Sequence, residues 1–110
     1  MSIFGLIIEG KLPSTKVFEN ERILAIEDIH PEAPVHILIM PKKAIPNLHS
    51  LAANDHPLLC EIVEVAQKIA EEKGVSDGYR LVTNSGPDAG QTIFHLHFHL
   101  IGGRILGKMS

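Results

Sequence analysis

Three histidines alternate with apolar residues near the C-terminal end of the chain, within residues 94–100 (FHLHFHL). Successive side chains of a β-strand point to opposite faces, so a strand here would place His95, His97 and His99 on one face. The ordinary pKa of histidine lies nearest neutrality, which suits it to act as a nucleophile, a proton carrier or a metal ligand. The chain has 7 histidines among 110 residues, and this cluster is the first place to look for function.

The spacing of the three histidines leaves more than one chemistry open. A row of structural histidines would need hydrogen-bond partners for three imidazoles on one face. A zinc site would use neighbours at i and i+2, but His95 and His99 lie ~13 Å apart on a regular strand. All three therefore cannot meet one ion, and an outside ligand such as His36 would be needed. Nucleophilic catalysis by one imidazole, with its neighbours orienting it, is supported equally well.

Composition limits the broad class of protein. Hydrophobic residues make up 45% and charged residues 21% of the chain, which is the balance of a globular domain. A formal charge of −3 gives no electrostatic footprint for nucleic acid or an anionic membrane. The 1 cysteine, Cys60, excludes an internal disulfide and a cysteine-based zinc site. Because no apolar run is long enough to span a bilayer, the sequence predicts one soluble, cytoplasmic domain over residues 1–110.

The elements that must position the histidines can be predicted from pattern. A short helix is expected over 3–9, capped by Ser2, and a long helix over 54–73 with one apolar stripe and Gly74 as its stop. The predicted strands are 17–19, 22–28, 35–40, 79–83 and 92–101. The order of elements predicts an α+β fold with an antiparallel sheet. The apolar alternate residues of the last strand (Phe94, Leu96, Phe98 and Leu100) are expected to pack under the long helix.

Residues 90–101 (GQTIFHLHFHLI) resemble the signature of the histidine-triad (HIT) family, His-φ-His-φ-His-φ-φ, where φ is apolar. Further segments are similar to the Hint branch, the purine nucleoside phosphoramidases: 3–5, 28–34, 36–43, 78–80, residue 84 and 102–104. The Gly-Gly-Arg at 102–104 is typical of that branch. The Fhit-like dinucleoside polyphosphate hydrolases tend to have Pro-Arg-Lys there.

The resemblance implies a fold and an activity. The fold is an antiparallel five-stranded sheet with one long and one short helix, continued across a homodimer. The activity is metal-independent hydrolysis of purine nucleoside 5′-phosphoramidates or adenylates, without a cofactor, through a nucleotidyl-histidine on His97. Expected partners are AMP- or GMP-type substrates, with no nucleic acid and no membrane. Two alternatives stay open: a dinucleoside polyphosphate hydrolase, and a non-catalytic purine-nucleotide-binding interaction protein.

The resemblance also assigns catalytic residues. His97 matches the family nucleophile, whose attacking nitrogen must be unprotonated. His99 and His36 match positions that contact the phosphoryl oxygens or the nucleophile. His95 matches the first triad member, which supports the others. The Thr92 hydroxyl is placed to donate to, or protonate, the leaving group.

Substrate-binding residues are expected around the triad. Backbone N–H groups near Gly90, Gln91 and Thr92 suit a phosphate, because glycine lets the chain approach it closely. Asn84 is expected to contact the phosphate or its loop. Asp28 matches the family's acceptor for the ribose hydroxyls, a role that suits an ionised carboxylate. The residues that resemble the apolar slot for the base, which pattern alone would assign to the core, are Ile3, Phe4, Ile7, Ile26 and Ile29.

Overall fold

The computed structural model describes residues 1–109, which form one five-stranded antiparallel sheet with a helix on each face. The strand order is β1-β2-β3-β5-β4. The strands are β1 (Lys16–Glu19), β2 (Ile23–Glu27), β3 (Val35–Pro41), β4 (Tyr79–Val82) and β5 (Phe98–Gly102), and the helices are α1 (Ile3–Ile8) and α2 (His56–Glu72). This confirms the predicted α+β fold with an antiparallel sheet. Neither helix in residues 1–109 is long and apolar enough to cross a lipid bilayer.

Helix α2 covers one face of the sheet, as its apolar stripe predicts. Pro57 sits in its first turn, where a missing N–H costs nothing, and Gly74 follows its end with a φ of 72°. The buried stripe of α2 packs on strand residues that include Ile23, Ile39 and Leu100. The members of the stripe are Ile62, Val65, Ala66, Ile69 and Ala70.

Helix α1 covers part of the opposite face. The Ser2 hydroxyl accepts the Gly5 N–H at 3.0 Å and so caps the helix, as expected. Phe4 and Ile7 are buried against a second apolar cluster of the sheet, formed by Leu24, Ile26, Leu38 and Met40. The sheet is therefore packed on both faces, and the residues on the α1 face lie beside the triad.

The last strand is shorter than the alternation predicts. Strand β5 begins at Phe98, and residues 92–97, which were expected to be strand, follow an irregular path. Pairing with β3 ends where Ile39 lies opposite Phe98, although β3 continues to Pro41, whose carbonyl accepts a hydrogen bond from the His95 ring. Before that point the Leu96 N–H donates instead to the loop carbonyl of Ile45 at 2.7 Å.

The apolar side of this segment is only partly core. Leu100 and Phe98 join the cluster under α2, as predicted, and Leu96 is buried. Phe94 is 50% exposed, so its assignment to the core was wrong. The residue lies outside the paired strand, where the alternation of a sheet no longer sets the direction of a side chain.

The α2 interface can be tested with two neighbouring residues. Ile62 is 1% exposed and Val63 is 47% exposed. We expect Ile62→Ala to lower the free energy of unfolding by ~2–5 kcal/mol, because it leaves a cavity under the helix. Val63→Ala is the matched control and should change the stability by less than ~0.5 kcal/mol. Equal losses in urea unfolding would contradict this packing.

Candidate active site

A cleft of about 340 Å³ opens between α1, the end of β2 and the loop that precedes the triad. All of the substrate-binding residues expected from the sequence line it, and so do four residues that were not expected: Glu27, His30, Leu38 and Ile93. The expected residues are Ile3, Phe4, Ile7, Ile26, Asp28, Ile29, Asn84, Gly90, Gln91, Thr92, His97 and His99. His36 and His95 are buried next to the cleft and do not line it.

His97 is held in one tautomer by the backbone. Its Nδ1 lies 2.7 Å from the carbonyl oxygen of His95, which can only accept, so Nδ1 carries the proton and Nε2 keeps a free lone pair. The Thr83 hydroxyl donates to the carbonyl of His97 at 2.7 Å and fixes the backbone as well. The edge of the ring packs against Phe4, with 4.8 Å between centroids. His97 therefore presents an unprotonated nitrogen from a fixed ring.

His99 is held in the opposite tautomer through His36. The Glu32 N–H donates to His36 Nδ1 at 3.0 Å, so the proton of His36 sits on Nε2. His36 Nε2 lies 2.9 Å from His99 Nδ1 and donates to it. His99 Nδ1 thus accepts, and His99 keeps its own proton on Nε2 as a donor. A backbone N–H and two rings together set the direction of this donor.

Burial favours the neutral forms of His97 and His99. Burial lowers the pKa of His97. The hydrogen bond from the ring to the His95 carbonyl acts in the opposite direction and raises that pKa. Burial also lowers the pKa of His99 to about 4, with further lowering from the neighbouring His97 and His36 rings. The centroids of the His97 and His99 rings are only 5.1 Å apart, so two positive charges there would repel strongly.

His95 is buried, and its ring supports the local fold. It is 3% exposed, and its Nε2–H donates to the Pro41 carbonyl at 2.7 Å. That bond links the irregular segment 92–97 to the end of β3. The main-chain carbonyl of His95 accepts the hydrogen bond from the ring of His97, so the backbone at His95 orients that ring.

The loop before the triad is braced by Gln91. The side chain is 5% exposed; its amide donates to the carbonyls of Pro46 (2.8 Å) and Ile93 (3.0 Å), and its oxygen accepts the Gly86 N–H (2.8 Å). Gly90 has a φ of 91°, a left-handed conformation that favours glycine. Gln91 therefore anchors the loop, a role that spacing did not reveal.

The backbone donors of this loop are fewer than the sequence suggests. The Gly90 N–H donates to Pro87 at 2.9 Å and the Gln91 N–H donates to Gly86 at 3.1 Å, so both are engaged within the loop. Thr92 follows them on the wall of the cleft. Of the expected phosphate donors, the N–H groups of Gly90 and Gln91 are therefore already used within the loop. Thr92 and Asn84 remain as candidates, since both line the cleft.

Asp28 stands where β2 ends and the cleft opens. One carboxylate oxygen accepts the His30 N–H at 2.8 Å, and the other lies 3.4 Å from His36 Nε2. The apolar residues expected at the base slot divide into a buried floor (Phe4, Ile7 and Ile26) and an exposed rim. Ile3 is 55% exposed and Ile29 is 85% exposed. Apolar side chains left open to solvent at a cleft are typical of a ligand site and not of a core.

Of the residues that sequence reasoning missed, Leu38 had a usable signal. It lies two positions after His36 on the same strand, so the two side chains share a face. In the sheet it stands between Ile26 on β2 and His99 on β5. His30 had no pattern of its own and reaches the cleft because it follows Asp28 in a tight turn.

Asp28, His36 and His99 are also close enough for a metal, since their ligand atoms lie within 4.8 Å of one another. The hydrogen bonds argue for another use. His36 Nδ1 accepts the Glu32 N–H, so Nε2 carries the proton and has no lone pair for an ion. The proton instead satisfies His99 Nδ1. The geometry supports a proton-bearing network over a coordination site.

Known proteins are similar to this chain in sequence and in fold. The family model for the HIT domain matches residues 9–106. A HIT-like protein of Chlamydia pneumoniae is 47% identical over 110 residues, covering 100% of both chains. The purine nucleoside phosphoramidase of Escherichia coli is 43% identical and covers 98% of this chain and 92% of its own. A HIT family hydrolase of Clostridium thermocellum superposes with a TM-score of 0.94 at 48% identity, covering 98% of this chain and 95% of that one. The chain therefore belongs to the HIT family.

Proposed function

We propose that this protein hydrolyses purine nucleoside 5′-phosphoramidates through a nucleotidyl-histidine intermediate on His97. The observation that carries the proposal is the His97 ring, whose Nδ1–H is tied to a backbone carbonyl and whose free Nε2 belongs to a residue of the cleft wall. The resemblance to the Escherichia coli enzyme named purine nucleoside phosphoramidase supports this choice of substrate class.

The first step is attack of His97 Nε2 on the phosphorus. A new bond forms between phosphorus and Nε2 while the bond to the leaving nitrogen breaks. The imidazole becomes cationic as it does so, and the His95 carbonyl that accepts its Nδ1–H stabilises that charge. In the second step water attacks phosphorus and the bond between phosphorus and Nε2 breaks, which returns neutral His97 and frees the nucleoside monophosphate. The proton that the water loses goes to the Thr92 oxygen.

The neighbouring residues serve the transferring group. The Nε2–H of His99 donates to a phosphoryl oxygen, and Asn84 supplies a second polar contact from the cleft wall. The Thr92 hydroxyl gives its proton to the departing nitrogen, which leaves as a neutral amine, and the water of the second step restores the hydroxyl. None of these three proposed donors is positively charged, so neutral hydrogen-bond donors bind the phosphoryl group.

The nucleoside half of the substrate fits the rest of the cleft. Asp28 accepts hydrogen bonds from the ribose hydroxyls, and its position is held by the His30 N–H and by the neighbouring His36. The base enters the apolar slot above Phe4 and Ile7, which recognises shape and stacking. Such a slot accepts either purine, because it offers little hydrogen bonding to the base edge.

The proposal includes a homodimer with a continuous sheet. Strand β4 pairs with β5 on one side and stands at the edge of the sheet. An open edge of this kind is a template for pairing with a second copy of the chain. Analytical ultracentrifugation would test this part separately from the chemistry.

Replacing His97 should remove turnover and leave binding. We expect His97→Ala to lower the rate of amine release from an adenosine 5′-phosphoramidate by at least ~10³-fold, because the attacking group is lost. AMP should still bind, since the apolar slot and Asp28 remain. His49→Ala, a histidine outside the cleft, is the matched control and should keep full activity.

Native activity should also survive a chelator, because no step requires a metal. Turnover by His97→Ala at the native rate would contradict the covalent route. Loss of native turnover in chelator would favour the metal site at Asp28, His36 and His99.

The dependence of kcat/KM on pH should report the lowered pKa of His97. Protonation of Nε2 abolishes the nucleophile, so the rate falls as the pH drops through that pKa. Because burial lowers this pKa below 6.5, the rate should stay level from neutral pH to about 6.5 and fall only in more acidic solution. Hydrolysis in the presence of His97→Ala supplies the blank. An acid limb centred at or above pH 6.5 would contradict the buried, neutral state.

A further inference from the structure

A second cavity adjoins the reactive cleft at Thr92. It has a volume of about 370 Å³ and is lined by Ser2, Ile3, Thr92, Ile93 and Phe94. Three of these residues, Ile3, Thr92 and Ile93, also line the cleft that contains His97. The two cavities therefore share a wall, and that wall carries the hydroxyl assigned to the leaving nitrogen.

The lining of the second cavity is uncharged, with three apolar side chains and the two hydroxyl residues Ser2 and Thr92. Phe94 is 50% exposed and Ile3 is 55% exposed, so both present apolar surface to solvent at this cavity. The Ser2 hydroxyl accepts the Gly5 N–H and so serves the cap of α1. None of the five lining residues is acidic or basic. The cavity thus offers contact area and no charge partner.

The reaction geometry says which part of the substrate reaches this cavity. The nucleophile and the leaving atom stand on opposite sides of the phosphorus in an in-line displacement. Neither His97 nor His99 lines the second cavity, and neither does the ribose acceptor Asp28. The nucleoside occupies the slot on the side of His97. What remains for the far side of Thr92 is the leaving group.

We propose that this second cavity is the leaving-group subsite and that it selects amines with an apolar carbon chain. The proposal rests on the phosphoramidase function above and adds the class of amine. An aromatic or branched alkyl group lies against Phe94 and Ile3, while its nitrogen stays at Thr92. An amine with a short polar chain does not cover the side chains of Phe94 and Ile3, which then stay in contact with water.

Two substrates separate this selectivity from the intrinsic chemistry. They are adenosine 5′-phosphoramidates of 2-phenylethylamine and of ethanolamine, whose amines have similar basicity and differ in the apolar chain. Binding energy away from the reacting atoms raises kcat/KM for the larger substrate. We expect the native ratio of the two kcat/KM values to be about tenfold in favour of phenylethylamine, as one well-filled apolar contact supplies.

The variants place the selectivity at one residue. Phe94→Ser removes the apolar wall without adding charge and should bring the ratio close to one, whereas Phe94→Leu should keep most of it. Ile105→Ser is the matched control, because Ile105 is 96% exposed and lines neither cavity. It should leave the native ratio unchanged.

The outcomes distinguish the subsite from the function it rests on. Turnover of both substrates with a native ratio near one overturns the subsite and leaves the phosphoramidase function standing. A native preference that Phe94→Ser retains also overturns it, since the selectivity would then lie elsewhere. Absence of turnover with either substrate would overturn both. A preference that is lost in Phe94→Ser and kept in Phe94→Leu and Ile105→Ser supports the subsite.

Discussion

The Nδ1–H of the His97 ring donates to the His95 carbonyl, which lies just before the regular part of strand β5 begins. In a fully paired strand that carbonyl would belong to the ladder of the sheet. Residues 92–97 lie outside the paired part of β5, so the carbonyl can accept a side chain instead. The loss of regular strand before Phe98 is thus the feature that sets the tautomer and the direction of the His97 ring.

His97 and His99 are held in opposite tautomers, and backbone groups determine both. His97 donates from Nδ1 to a carbonyl, which frees Nε2. His99 accepts at Nδ1 from His36, whose own tautomer follows from the Glu32 N–H. One ring therefore offers an unprotonated Nε2 and its neighbour an Nε2–H donor, which are the two roles that the proposed function requires. Burial lowers the pKa of both rings and so favours their neutral forms.

Local sequence pattern predicted the helices and strands whose apolar residues recur with a regular period. The apolar stripe of α2 and the strand that carries Leu100 were found because helical and strand periodicities are properties of neighbouring residues. The motif at 95–99 indicated the site, and the segments similar to the Hint branch indicated its other residues. The end of β5 was not predictable this way, because it depends on where its partner β3 stops pairing.

Side-chain roles were the hardest to predict. Gln91 was expected near the substrate, yet its amide braces the loop through contacts with residues as distant in sequence as Pro46. Phe94 follows the alternation of a core residue but lies outside the sheet and is half exposed. Tautomers were also out of reach, since they depend on which backbone group meets each ring nitrogen after folding.

The most direct test is a long-range ¹H–¹⁵N NMR measurement of the histidine rings at pH 7.5. The account predicts the Nδ1–H tautomer for His97 and the Nε2–H tautomer for His36, His95 and His99, each without averaging. Thr83→Val would serve as a check that the His97 signal follows the backbone at that residue. An Nε2–H tautomer at His97, or a charged His97 ring at this pH, would contradict the claim that a backbone carbonyl prepares the nucleophile.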